Sequence, residues 1–237
     1  MYPICSFVAL TIVHADARLV VVEKPPGLLS VPGKGPANAD CVSARVRTMF
    51  PHATGPMVVH RLDMDTSGLI VVALDADAQR ELSRQFEQRL VEKKYVAILQ
   101  GLLERDEGEI RLPLRPDVEN RPYQIVDHVH GRHALTRYRV LAREEHCTRV
   151  EFVPVTGRAH QLRVHAADPV YRGPPGAEPR DMRGEHGQQR GLGHPILGDV
   201  LYGDPRTASR LLLHASYISF LHPCGGGRIE FESAWSF

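Results

Sequence analysis

The chain has 237 residues, 43% of them hydrophobic and 24% charged. That composition excludes a disordered or fibrous protein and leaves a globular enzyme with one sizeable core, or two small domains sharing a cleft. The formal charge is only +1, which excludes a global basic field, so any contact with nucleic acid has to be local.

In chain order, the opening MYPICSFVALTIV is apolar but lacks a basic flank and runs into His14 and Asp16, which favours a first strand over a signal peptide. Val20–Val22 reads as a strand stopped by Lys24-Pro25-Pro26-Gly27. From Asp40 on, Val42, Val46, Met49 and Phe50 fall at helical spacing up to Pro51. Leu69–Leu74 is a near-continuous apolar run, the pattern of a strand buried on both faces. Asp75 or Asp77 then caps a helix whose stripe is Ala78, Leu82, Phe86 and Leu90. Strands are predicted over Tyr95–Leu99, Glu109–Leu112, Thr136–Leu141, Thr148–Val155 and Leu211–Leu221. Strands outnumber helices and many are a hairpin apart, so the expected fold is α+β, a mostly antiparallel mixed sheet with flanking helices.

Residues 168–193 carry almost nothing apolar and are expected to form a polar surface loop. Cys5, Cys41, Cys147 and Cys224 include no C-x-x-C pair and are expected to be reduced, buried thiols. No apolar run approaches the ~20 residues that cross a bilayer, so a cytoplasmic protein without membrane contact is expected. Of 29 basic residues 25 are arginine; guanidinium groups bind phosphate and stack on bases, and a coding bias toward arginine is the simpler source of the excess.

Two segments carry candidate chemistry. His60-Arg61-Leu62-Asp63-Met64-Asp65-Thr66-Ser67-Gly68 sets an acid and a base in a loop before the buried strand. Taken alone, it is equally a turn in which Asp and Thr oxygens cap backbone N–H groups. Thr156-Gly157-Arg158-Ala159-His160-Gln161-Leu162-Arg163-Val164-His165 is a strand end, a glycine turn and a helix start. Arg163 and His165, taken singly, fit a solvated basic helix face as well as a functional role. His160 and His165 have no third ligand nearby in sequence, so no metal site is expected.

Together these segments resemble the RluA family of RNA pseudouridine synthases. VVEKPPGLLSVPG (21–33), HRLDMDTSGLIVVAL (60–74), KKYVAIL (93–99), NRP (120–122), TGRAHQLRVH (156–165), HPILGDVLYG (194–203) and LLLHA (211–215) occur in the family's order. The resemblance implies one catalytic domain over 1–237 of the short branch without an S4-type RNA-binding domain. It also implies isomerisation of a uridine in a stem-loop of tRNA (the anticodon arm), 23S rRNA, or both. The implied enzyme needs no cofactor or metal and works as a monomer.

Carried over by motif, Asp63 is the family's essential carboxylate, Tyr95 its base-stacking tyrosine, and Arg158 the arginine that pairs with the aspartate. Arg61 is the residue that enters the RNA stack as the base flips out. His60, Thr66, Arg121, His160 and Arg163 are further expected RNA contacts, and Leu213 an apolar pocket wall. The remaining residues of NRP, HPILGD and LHA are expected to be structural or peripheral to the pocket, without a catalytic role. Ala159 departs from the usual Thr or Ser, removing a hydroxyl that could cap the next helix, and the 168–193 loop is unusually long. The rival readings are the same reaction on another uridine, a catalytically silent RNA-binding assembly factor, and a glycosidase using Asp65 as a second carboxylate.

Overall fold

A computed structural model describes residues 10–169, 190–235 and 237. The elements run β1 (Thr11–Ala15), β2 (Leu19–Lys24), α1 (Val42–Met49), β3 (Ser67–Ala73), α2 (Ala76–Glu87), β4 (Glu92–Gln100), β5 (Glu107–Ile110), β6 (Leu114–Pro116), β7 (Gln124–Val126), β8 (Thr136–Arg143), β9 (Cys147–Pro154), α3 (Gln161–Ala167), β10 (Leu213–Leu221) and β11 (Arg228–Glu232). A nine-stranded sheet has the order β1-β2-β3-β10-β4-β9-β8-β5, with β11 also paired to β10; β6 and β7 form a separate hairpin. Every pairing in the large sheet is antiparallel except β3 with β10. The expected α+β, mostly antiparallel architecture is the one observed.

Two kinds of strand follow from two kinds of cover. In β2 and β3 alternate residues feed opposite clusters. Val20, Val22, Ile70 and Val72 pack with Val42 and Val46 of α1, while Leu19, Val21, Leu69 and Val71 pack with Ala78 and Leu82 of α2. A sheet sandwiched between helices has no wet face, hence the unbroken apolar runs. In β9 the pattern alternates instead: Val150 and Phe152 face the cluster that contains Leu162 and Ala166 of α3, while Arg149 and Glu151 face outward. Tyr95 packs against both the α1-side cluster and the α3-side cluster, so it stands where the two halves of the sheet meet.

The seam between those halves is the parallel β3–β10 contact, two residue pairs long, Ser67 with His214 and Gly68 with Ala215. Gly68 has φ +109°, and a Cβ there would lie 2.3 Å from the Ala215 carbonyl oxygen. Only glycine fits this approach.

Several expectations need correction. α2 ends at Glu87, so Leu90 lies beyond the helix and is exposed rather than part of its stripe. The strand expected at Glu109–Leu112 runs Glu107–Ile110, because its pairing with β8 sets the register. Cys41 is buried, but Cys147 is half-buried and Cys224 exposed; Cys5 lies outside the described residues. Most of the 168–193 loop also lies outside them. Its two ends are tied to α3: the Asp168 carboxylate accepts the Gly191 N–H at 2.8 Å, and Leu192 N–H donates to the His165 carbonyl at 3.0 Å. Among the described residues no helix is long and apolar enough to cross a membrane.

Candidate active site

The segment before β3 is held from several sides. The Ser30 hydroxyl donates to the Leu62 carbonyl at 2.7 Å and accepts the Leu62 N–H at 3.0 Å. Lys24, fully buried, donates its ammonium to the carbonyls of Pro25 (2.9 Å), Leu28 (2.7 Å) and Met64 (2.6 Å). Burial lowers its pKa to about 8 against the pull of Asp65 and Asp63. Gly27 N–H adds a second bond to the Met64 carbonyl, and Asp63 closes a turn by accepting the Thr66 N–H at 3.2 Å. Asp63 therefore sits on a loop whose backbone groups at Leu62, Met64 and Thr66 are hydrogen-bonded. Lys24 is a residue whose role the sequence left unread, although the Lys-Pro-Pro-Gly stop marked the place.

Beside this loop opens a cavity of about 830 Å³ lined by Asp63, Tyr95, Leu213, Arg61, Thr66, His160 and Arg163 among others. Six of its lining side chains are cationic and two anionic, a local basic surface on a nearly neutral chain. Asp65 is not among the lining residues; its charge acts on Lys24 and His160.

Arg163 is the arginine that meets Asp63. Its Nη1 lies 3.8 Å from an Asp63 carboxylate oxygen, and its Nε and Nη2 make a bidentate pair with Asp199 at 2.8 and 2.5 Å. The Arg163 side chain is 3% exposed and that of Asp63 27%, so the cation is sealed while the carboxylate reaches the cavity. Burial works against the charge of Arg163, but the bonds to Asp199 and the nearby Asp63 outweigh it and hold the guanidinium pKa above its ordinary value.

Arg158, the expected partner, lines the same cavity but donates its Nε to the His133 carbonyl at 3.1 Å. The reason is helical geometry. α3 begins after His160, in left-handed conformation at φ 52°, and carries Arg163 inward, whereas Arg158 stays on the preceding turn. Gln161 fixes that turn by accepting Arg158 N–H at 3.0 Å and the Thr156 hydroxyl at 2.8 Å. With His160 in the cap position, a hydroxyl at position 159 would not be the helix cap, so Ala159 forfeits none.

Both candidate groups for a solvated helix face are buried instead. His165 donates Nε2 to the Leu112 carbonyl at 3.2 Å and accepts from the Thr136 hydroxyl at 3.0 Å. Burial pushes its pKa down to about 4, so it is neutral near pH 7. His160 meets the Tyr202 hydroxyl at 2.7 Å, and that hydroxyl accepts Gln124 N–H at 2.8 Å. Burial lowers the His160 pKa despite Asp63 pulling the other way. Tyr202 also lies under the Arg163 guanidinium, 5.2 Å from ring centroid to Cζ.

Asp199 and Tyr202 both come from HPILGDVLYG, whose His194–Asp199 stretch is expected to be structural or peripheral to the pocket. They are what fixes Arg163 beside Asp63.

His60, expected to contact RNA, lines the cavity, with its Nε2 accepting the Val71 N–H at 2.9 Å and its ring stacked on Phe86 at 4.5 Å. Burial lowers its pKa to about 3. Arg121 is exposed in the β6–β7 turn and is not among the lining residues. Arg61 is exposed at the cavity, while Thr66 and Leu213 are buried in its wall. Burial, reinforced by Asp63, raises the Tyr95 phenol pKa well above its usual range, so it is a neutral hydroxyl and apolar ring facing the carboxylate.

The fold and this site, a carboxylate, a sealed arginine and a neutral tyrosine at one basic cavity on a sheet seam, are those of a class of RNA-modifying isomerase, as the comparisons show. The family model for RNA pseudouridylate synthase matches residues 18–168, and the chain belongs to that family. It is 44% identical over 227 residues to the dual-specificity RNA pseudouridine synthase RluA of Yersinia pestis, covering 94% of this chain and 98% of that protein. It is 41% identical over 232 residues to the protein of that name from Escherichia coli strain K12, covering 96% and 94%. Among solved structures, human RNA pseudouridylate synthase domain containing 1 superimposes with a TM-score of 0.71 at 26% identity, covering 95% of this chain and 83% of that one.

Proposed function

We propose that this protein isomerises uridine to pseudouridine within stem-loops of tRNA and 23S rRNA, as a cytoplasmic monomer that uses neither metal nor cofactor. The observation that carries the reading is Asp63, a cavity-lining carboxylate held beside the buried Arg163 in a cavity that Tyr95 also lines. In the reaction the N1–C1′ bond breaks, the base turns, C5 bonds to C1′, the proton on C5 leaves, and N1 takes up a proton, so that product and substrate are isomers. C1′ gains positive character as its bond to N1 breaks, and a carboxylate stabilises or traps it. Tyr95 and Leu213 give the turning base an apolar wall, and the phenol stands ready to help carry the C5 proton. Arg61, exposed at the cavity, fills the stack the uridine vacates, offsetting an extrusion cost of a few kcal/mol.

The test is tritium release from tRNA and 23S rRNA transcripts labelled at uridine C5. Release is expected from the native protein and none from Asp63→Asn, with both proteins folded by circular dichroism. Equal release from the two removes Asp63 from its role, and mapping the modified positions identifies the target uridines.

A further inference from the structure

Most arginines on the described surface carry a carboxylate partner: Arg45 with Asp40, Arg80 with Asp77, Arg84 with Glu81, Arg115 with Asp127, Arg143 with Asp106. Four arginines of the cavity do not, among the described residues: Arg61, assigned above to the RNA stack, and three others. Arg89 follows α2, Arg132 lies between β7 and β8, and Arg158 lies between β9 and α3; all three line the cavity, and among the described residues none is ion-paired to a carboxylate. Arg158 is depressed in pKa by burial and then by the charges of Arg132 and Arg89, so each of these two stands close enough to Arg158 to repel it.

Their backbones are fixed while their heads are left without counter-charge. Arg89 is held at φ 60°, a left-handed conformation that costs an L-residue ~1 kcal/mol or more and that glycine would adopt freely. Arg132 exchanges both backbone hydrogen bonds with Leu114, at 3.0 and 2.8 Å. Arg158 is tied by its N–H to Gln161 and by its Nε to His133. Like charges gathered from three separate connections weaken the free protein, and an arriving anion relieves them. The anions RNA offers are its phosphodiesters. A nucleotide extruded into the cavity brings its flanking phosphates to this rim.

We propose that Arg89, Arg132 and Arg158 form a cradle for a backbone phosphodiester next to the uridine that enters the cavity, an inference that rests on the cavity being the pseudouridylation site. Arg158 then serves the RNA backbone and Arg163 serves Asp63.

The experiment measures binding of a fluorescein-labelled RNA stem-loop across a potassium chloride series. Native protein is compared with Arg89→Gln, Arg132→Gln, their combination, and Arg139→Gln, an exposed β8 residue paired to Glu151 outside the cavity. Each cavity variant is expected to bind about five- to tenfold more weakly and to flatten the slope of log affinity against log salt by about 0.7–0.9. The Arg139→Gln slope is expected to match native. Arg132→Lys, which keeps the charge, is expected to keep the slope.

The unliganded glutamine variants are expected to melt no lower than native, since each removes repulsion. Slopes that stay native in Arg89→Gln and Arg132→Gln, or that change equally in Arg139→Gln, overturn the cradle. Earlier melting with an unchanged slope overturns it too, by making the arginines structural. Tritium release run in parallel separates the two claims: no release from native protein overturns the assigned reaction, whereas release with unchanged slopes overturns the cradle alone.

Discussion

At Arg163 two carboxylates share one guanidinium unequally. Asp199, fully buried, takes Nε and Nη2, and Asp63 is left with Nη1 at 3.8 Å. The bidentate fork is satisfied by the carboxylate sealed away from the cavity, so the one that lines the cavity keeps a cation beside it without being locked to it. Removing Asp199 leaves a buried guanidinium without its main partner, at a cost of about 3–5 kcal/mol, and frees it to close on Asp63. Asp199→Asn is therefore expected to lower the melting temperature and to reduce kcat for tritium release more than it raises KM. Arg158→Gln is expected to stay within about 0.5 kcal/mol of native stability and to show its effect in KM; a collapse of kcat in Arg158→Gln alone would return the Asp63 partnership to it.

Helix α3 packs its whole length into the core, which its sequence disguises. Gln161, Arg163 and His165 are all buried, each satisfied by a partner on another element. A neutral buried imidazole makes stability depend on pH in a definite direction. His165 falls to about 4 and His60 to about 3 in the folded chain, against an ordinary value near 6.5 when unfolded. Below pH ~6.5 the unfolded chain takes up protons that the folded one refuses, so their contribution is complete above that pH and is lost as pH falls toward 4. Each such group weakens the fold by about 1.4 kcal/mol per pH unit across that window.

Melting followed from pH 7 to pH 4.5 is expected to show this fall. His165→Gln is expected to be less stable at pH 7 but to lose stability more gently; a parallel pH profile would remove His165 from the explanation. At this scale β3 and α2 were legible because burial on both faces and a four-residue stripe are written locally. The β6–β7 hairpin and β11 were not, since strands of three to five residues leave too short a pattern to separate from loop.

The molecule as a whole is two half-sheets joined at β3 and β10, with the cavity at the seam and the Asp63 loop leading directly into it. Gly68→Ala drives a Cβ into the Ala215 backbone at 2.3 Å in a region that cannot yield without parting the halves. It is expected to cost about 4 kcal/mol or more, seen as a lower or uncooperative melting transition together with loss of tritium release. Native-like melting would show that the seam tolerates separation.

What the amino-acid order determined by itself was the inventory: a turn bearing Asp63, a tyrosine at a strand start, a strand buried on both faces, and two arginines five positions apart. Those features depend on turn chemistry and periodicity, which act over a few residues. Only the tertiary structure decided which of Arg158 and Arg163 meets the carboxylate. The choice rests on the left-handed turn at His160 and on Asp199, 36 residues further along the chain, because burial and charge pairing between distant segments exist only once the segments are packed together.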